Sequence, residues 1–239
     1  MNLGASFVHS FYINFIRDNR WLLMADGLKI TLIISVFAIL VGIFFGSLTT
    51  LMRRCHIKRF GIIGRIISWI IRSMGYLYVD IIRGTPMVTQ LLIVYFVIFA
   101  SWKVNPVLVA IFAFGFNSGA YVSEIIRGGL LSIDKGQTEA GRSLGFSSAS
   151  TMLHIIIPQA VKNILPMLCN EFVVLIKETA VVGYLAIADL TRAAEFITSR
   201  TFDFAMPLIT AAIIYYVIIK LLTLGITKLE RYLRKADVR

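Results

Sequence analysis

Residues 28–52 read LKITLIISVFAILVGIFFGSLTTLM, twenty-five positions whose one charge is Lys29 near the start. About 20 apolar residues in a helix cross the ~30 Å hydrocarbon of a bilayer, so this run is long enough to span. It ends in Arg53, Arg54, Lys58 and Arg59. Positive charge gathered at the end of a span marks the cytoplasmic side, which sets the N-terminus outside. Arg17, Arg20 and Lys29 weigh against that orientation, and Asp18 and Asp26 beside them offset it.

The rest of the chain has the same character. Of 239 residues, 58% are hydrophobic, against about 45–50% in soluble domains. The mean hydropathy is +0.81. The length suits one membrane domain of about five spans and leaves no room for a second, soluble domain. The net charge of +11 is not read as a nucleic-acid footprint, because the basic residues cluster at the ends of apolar runs. Cys55 and Cys169 lack metal-ligand spacing and read as unpaired thiols. The N-terminus lacks the pattern of a cleavable signal peptide. Phe7, Phe11, Tyr12 and Phe15 recur at roughly helical spacing, so residues 1–21 read as an interfacial amphipathic segment, with a disordered tail as the alternative. Residues 22–239 form the membrane domain.

Residues 60–82 are apolar but carry Arg65, Arg72 and Asp80. Arg65 and Arg72, seven apart, share one helix face, as in a helix lying partly at the interface or shielding that face in a bundle. Arg83-Gly84-Thr85-Pro86 then breaks the helix, and Met87 to Trp102 continue it. Residues 60–102 are read as one kinked crossing; two separate spans would invert everything downstream. Asn105-Pro106 makes an outer turn. The third span runs inward from Val107 to about Arg127 through Asn117, Ser118, Gly119 and Ala120, small residues suited to close helix contact. Glu124 and Arg127, three apart, read as a local ion pair. The polar segment 132–154 falls on the cytoplasmic side, where Asp134 caps a helix starting near Lys135 and His154 faces the interface. The fourth span runs from Pro158 to about Lys177, 178–204 form an outer loop, and the fifth span, Ala205 to about Thr227, returns inward. Lys228, Arg231, Arg234, Lys235 and Arg239 close the chain inside.

Within the polar segment, Glu139-Ala140-Gly141, three residues, Gly145, nine residues, Ile155, one residue and Ile157-Pro158 stand at fixed spacing. This resembles the E-A-A, x3, G, x9, I-x-L-P signature of the membrane subunits of bacterial ATP-binding-cassette importers, with Gly141 for the second alanine and Ile157 for leucine. A second set points to the polar amino acid permeases of the histidine, arginine, glutamine and cystine group. Arg83-Gly84-Thr85-Pro86 with Gln90-Leu91-Leu92 and Tyr95-Phe96 resembles their segment, as do Ser118-Gly119-Ala120-Tyr121, Ile133-Asp134-Lys135-Gly136-Gln137, and Asn170-Glu171-Phe172 with Lys177-Glu178-Thr179. Gly136 to Ser143 also approaches a phosphate-binding loop, but the lysine and the preceding strand are missing.

The resemblance implies an all-α membrane protein of five transmembrane helices with a cytoplasmic coupling helix, the type I importer fold. It implies a transport subunit that catalyses no covalent chemistry and holds no cofactor, with ATP and Mg on a partner ATPase. The implied partners are two ATP-binding subunits, a second permease subunit (identical or related), an external amino-acid-binding protein, the amino acid itself and lipid, in the bacterial inner membrane. Glu139, Ala140, Gly141, Gly145 and Pro158 would couple to the ATPase, a glycine at 145 permitting a sharp turn or close approach. Polar groups deep in a span usually face an interior path. Gln90, Asn117, Tyr121, Asn170 and Glu171 are the candidates for the substrate pathway: Asn170 and Glu171 as acceptors for an ammonium, Asn117 or Gln90 as donors to a carboxylate. Hydrogen bonding between helices is the plainer reading of the same residues. A secondary transporter or channel working without ATP is the rival function.

Overall fold

The computed structural model describes residues 3–57 and 61–235, and every regular element in them is helical. Lys58, Arg59 and Arg239 lie outside these residues. Helix α1 (Leu3–Phe11) passes through a π turn (Tyr12–Ile16) and a short 3-10 turn into α2 (Trp21–Arg53). Phe7, Phe11 and Tyr12 are exposed, whereas Phe15 turns inward against Met24 and Leu190. Helix α2 starts seven residues before the expected Leu28. Charge at 26 and 29 bounds the apolar run without ending the helix, because Asp26 and Lys29 are exposed and neither breaks helical backbone.

Helix α5 (Pro106–Leu131) is the most enclosed long helix. Pro106 lies in its first turn, as expected near a helix start, and the Asn105 side chain adds a cap by accepting from Val107 N at 2.9 Å. It packs along α2 through glycines on both helices. A Cβ on Gly46 would stand 2.6 Å from Val122 Cγ1 and 2.9 Å from Gly119 O, and one on Gly115 would stand 2.5 Å from the Val41 side chain. Lipid supplies no hydrophobic drive between helices, so close backbone packing of this kind does most of the holding.

Helix α3 (Gly61–Arg83) divides by its contacts. Gly75 lies beside Arg53, with a hypothetical Cβ 2.9 Å from Arg53 Cγ. Val79 and Ile82 pack on Ala120 of α5. Ser68, earlier in the helix, accepts from Ile57 N beyond the end of α2 at 2.8 Å. The first half of α3 therefore extends past the Arg53 end of α2, and the second half runs back along the bundle. The helix breaks at Gly84-Thr85-Pro86, as expected, and resumes as α4 (Met87–Ile93) and a π turn to Ile98.

Beyond α5 come α6 (Lys135–Ser143), α7 (Ser148–Thr151), a π turn (Met152–Ile156), α8 (Ile157–Glu178), α9 (Leu190–Thr201) and α10 (Ala205–Lys235). Among the described residues, four helices are long and apolar enough to cross a membrane: α2, α3, α5 and Ala205–Leu233 of α10. The outer loop expected over 178–204 is corrected. Residues Thr179–Leu185 form a 3-10 turn, and α9 is a packed helix with Leu190, Ala193, Ala194 and Ile197 buried. Those four share one face at helical spacing, and Asp189 caps the helix by accepting from Thr191 N and Arg192 N, both at 3.0 Å. One core gathers around Ile34, Ala38, Leu91, Phe114 and Leu175, and a second around Met24, Leu190 and Ile197. Ile209, Ile213, Tyr216, Val217 and Leu221 remain exposed along α10, an apolar row that a hydrocarbon surround would cover.

Candidate functional site

The helix break sets the site. Gly84 N donates to Asp80 O at 2.9 Å and Thr85 Oγ1 to Ile81 O at 2.9 Å. Extended backbone at Pro86 then leaves carbonyls without helical partners. Gln90 reaches back from α4 and fills the gap: its Nε2 donates to Ile82 O (2.8 Å), Thr85 Oγ1 (2.7 Å) and Thr85 O (3.2 Å). Its Oε1 accepts from Asn117 Nδ2 of α5 at 2.9 Å. Asn117 is buried, and Tyr121, one turn on, lies under the Arg83 guanidinium at 5.5 Å from the ring centre. Gln90, Asn117 and Tyr121 thus form one cluster. An open cleft of about 1020 Å³ adjoins it, lined by Tyr121, Arg83, Asp80, Tyr76 and Arg53 among others. Gln90 spends its amide hydrogens on the Ile82 and Thr85 carbonyls and the Thr85 hydroxyl, so its donor capacity holds the break. Asn117 Nδ2 carries a second hydrogen beyond the one given to Gln90.

The other two candidates part company. Glu171 of α8 accepts from Ser118 Oγ at 2.8 Å, next in sequence to Asn117, so it lies at the depth expected for it. Asn170 is exposed and faces a separate cavity of about 450 Å³ with Ser132, Lys162, Asn163 and Glu230. Consecutive helix residues diverge by about 100°, so the two side chains leave α8 in different directions.

The polar segment with the Glu139 to Pro158 spacing is a separate structure. Asp134 accepts from Gly136 N at 2.7 Å and starts α6. At the other end Phe146 N donates to Gly141 O (3.2 Å) and Gly145 N to Arg142 O (3.1 Å), the paired bonds of a Schellman cap. Gly145 has φ +85° and open space around its Cα. The backbone angle, and no steric limit, is what asks for glycine there. Gly141 is the opposite case. It is buried, and a Cβ would stand 2.7 Å from Thr151 Cγ2 and 2.9 Å from Ile155 Cδ1, which seats α6 against the helix that follows. Glu139 and Ala140 point outward, as do Leu144 and Phe146. Pro158 lies in the first turn of α8, just after the π turn Met152–Ile156. That wider turn relieves the loss of its N–H.

Residues 59–235 match the family model described as the binding-protein-dependent transport system inner membrane component. The chain belongs to that family. It is a permease subunit, an inner-membrane, multi-pass component that is not itself catalytic. The permease is 39% identical to the arginine transport system permease protein ArtQ of Bacillus subtilis strain 168 over 214 residues, 89% of this chain and 93% of that one. It is 35% identical to the glutamine transport system permease protein GlnP of Escherichia coli K12 over 216 residues, again 89% and 93%. Among solved structures it is similar to one described as an amino acid ABC transporter with histidines: TM-score 0.81, 37% identity, 91% of this chain and 98% of that one. It shares its fold with the inward-facing MetNI methionine ABC transporter: TM-score 0.72, 17% identity, 89% and 97% coverage.

In the permease the expected Glu124–Arg127 pair is present, with Arg127 Nη2 2.7 Å from Glu124 Oε2. Sequence reasoning missed its third member. Arg53, at the end of α2, bonds the other carboxylate oxygen and stacks over the Tyr76 ring at 4.3 Å. The pairing of Glu171 with Ser118 is likewise invisible in sequence, although Ser118 stands in the Ser118-Gly119-Ala120-Tyr121 motif. No spacing rule could join either pair, since 71 and 53 residues separate the partners.

Proposed function

We propose that the permease forms half of the substrate path of an ATP-driven amino acid importer. The observation that carries this reading is the coupling segment: an exposed, capped helix held between α5 and α8, with Glu139, Ala140 and the Gly145 turn outward. In the family an ATPase and an external binding protein work with such a subunit. We assign two ATP-binding subunits, holding ATP and Mg, to the cytoplasmic side, and a second permease subunit alongside. The arginine, glutamine and amino acid names of the relatives support an amino acid as substrate.

The crossings are five: α2, the second half of α3 with α4, α5, α8 and α10. The contact of Gly75 with Arg53 supports a single kinked crossing over 75–98. The N-terminus is outside and the C-terminus cytoplasmic, by the charge bias, and residues 1–21 lie at the outer interface ahead of the membrane domain, 22–239. The substrate path follows Asn117 and Tyr121 beside the Gln90-held break, with Glu171 on the neighbouring face; Asn170 borders a separate cavity and contributes there. ATP binding closes the ATPase pair, α6 moves with it, and the bundle opens outward; hydrolysis returns it. Glu139, Ala140, Gly141, Gly145 and Pro158 transmit that motion.

Reconstitution of the permease with its ATPase and binding protein tests the reading. Uptake of labelled arginine, glutamine or histidine should require ATP inside and binding protein outside. Uptake by the permease alone, driven by an ion gradient, would establish a secondary transporter instead.

A further inference from the structure

The first half of α3 is built unlike the rest of the bundle. Its inner edge meets the chain that follows α2, where Ile57 N donates to Ser68 Oγ at 2.8 Å. Ile62, Ile63, Ile66 and Ile70 lie on its outer arc, from 72% to 46% exposed. At about 100° per residue, Arg65 and Arg72 form a row along one margin of that arc, between it and the buried edge of Gly64, Ser68 and Gly75. Trp69 stands between the two arginines in sequence and is 69% exposed. Neither guanidinium has an ion-pair partner among the described residues. Both line a cavity of about 480 Å³ with His56, Ser68 and Trp69.

An apolar arc edged by cations, with an indole at the margin, is the arrangement of a helix lying in a membrane interface. The depth agrees, because this half of α3 lies beyond the Arg53 end of α2. The isoleucines then meet acyl chains while the arginines sit at the level of the phosphates. A guanidinium offers a planar fork of donors matched to phosphate oxygens. Charge complementarity therefore selects an anionic occupant and disfavours a zwitterionic one, whose own ammonium group would compete.

We propose that Arg65 and Arg72, with the cavity between them and His56, bind the phosphate headgroup of an anionic phospholipid. The isoleucine arc carries its acyl chains. The site is distinct from the substrate cluster and from the coupling segment, so lipid binding and transport can fail separately.

The permease complex, stripped of lipid in detergent, is titrated with phosphatidylglycerol or phosphatidylcholine of equal chain length and read by native mass spectrometry. Wild type should retain phosphatidylglycerol preferentially. Arg65→Gln/Arg72→Gln should bind it ~30-fold more weakly, from roughly fivefold per cation near an anionic surface. Arg65→Lys/Arg72→Lys should stay within a few-fold of wild type, and Arg200→Gln, on α9, should be unchanged. Inorganic phosphate at the same concentration should not displace the lipid. Equal retention of both lipids by wild type overturns the proposal. So does undiminished binding by the glutamine pair, or displacement by inorganic phosphate, which would make this a free-anion site. If the glutamine pair keeps its lipid but loses the second permease subunit, the arc is a subunit interface and the proposal fails.

Discussion

Asn117 Nδ2 donates to Gln90 Oε1 at 2.9 Å, and Gln90 in turn holds the carbonyls freed by the Gly84–Pro86 break. The pair ties the kink in the second proposed crossing to the centre of α5. Hydrogen bonds between membrane helices average only about 0.6 kcal/mol, because the unfolded chain in lipid also finds partners. Asn117→Ala should therefore lower the melting temperature little while cutting ATP-driven uptake several-fold, as the kink loses its register. A thermal scan beside proteoliposome uptake checks this; a large stability loss with normal uptake in the folded fraction would make the pair purely architectural.

Glu124 bonds two arginines that differ in exposure: the Arg53 side chain is 12% exposed and that of Arg127 48%. An exposed pair contributes about 0.2–1 kcal/mol, whereas a hydrogen bond to a charged, partly enclosed group contributes about 1.5–3 kcal/mol. Glu124→Gln should destabilise far more than Arg127→Gln. Denaturation of the two variants in one detergent measures the difference, and equal losses would contradict the assignment.

The cap of α6 makes a prediction about side-chain type. A residue other than glycine at φ +85° pays about 1–2 kcal/mol for left-handed backbone, and asparagine tolerates it better than most. Gly145→Asn should keep more ATPase coupling than Gly145→Ala, and Gly145→Val should keep least. The ratio of transport to ATP hydrolysis reads this order. A ranking by side-chain size alone would point to crowding at the docking surface.

Asp203 ties the N-terminal turn to the start of α10. Burial raises its carboxyl, but donation by Met206 N, Asn14 Nδ2 and Ala205 N outweighs that and leaves it below the usual carboxylate range. A depressed value means the stabilisation is complete above about pH 3.9, the unfolded value. It is lost as pH falls through the lower folded value. The protection factor of the Tyr12–Ile16 amides, which divides out the intrinsic pH dependence of exchange, should fall on acidification in wild type. In Asp203→Asn it should be low already at pH 7. Protection indifferent to both changes would leave the tether without a role.

Much of this was legible in sequence because its signals are local. The Arg83–Pro86 break, the Asn105-Pro106 turn, the Asp134 cap and the Glu139 to Gly145 spacing each rest on a few adjacent residues. Helix α9 was missed although Leu190, Ala193, Ala194 and Ile197 carried its period. Arg192, Glu195 and Arg200 made the segment look like surface, and they do face outward while the other side is buried. That Asn170 and Glu171 diverge follows from their adjacency in a helix, but that Glu171 is the one to meet Ser118 depends on the rotation of α8 against α5, which no run of residues encodes. The link from Arg53 to Glu124 likewise needs two helices to meet.

The glycine contacts between α2 and α5 have a mechanical consequence. Backbones this close cannot slide past one another without collision, so the two helices behave as one stiff beam. Helix α5 is ~39 Å long at ~1.5 Å per residue, with Asn117 ~21 Å from the end where α6 attaches. A tilt of the beam applied at α6 therefore reaches the Asn117–Gln90 pair as a proportionate swing, with little lost to bending. The softer joint is the Gly84–Pro86 kink, and a torque delivered from the ATPase side should be absorbed there.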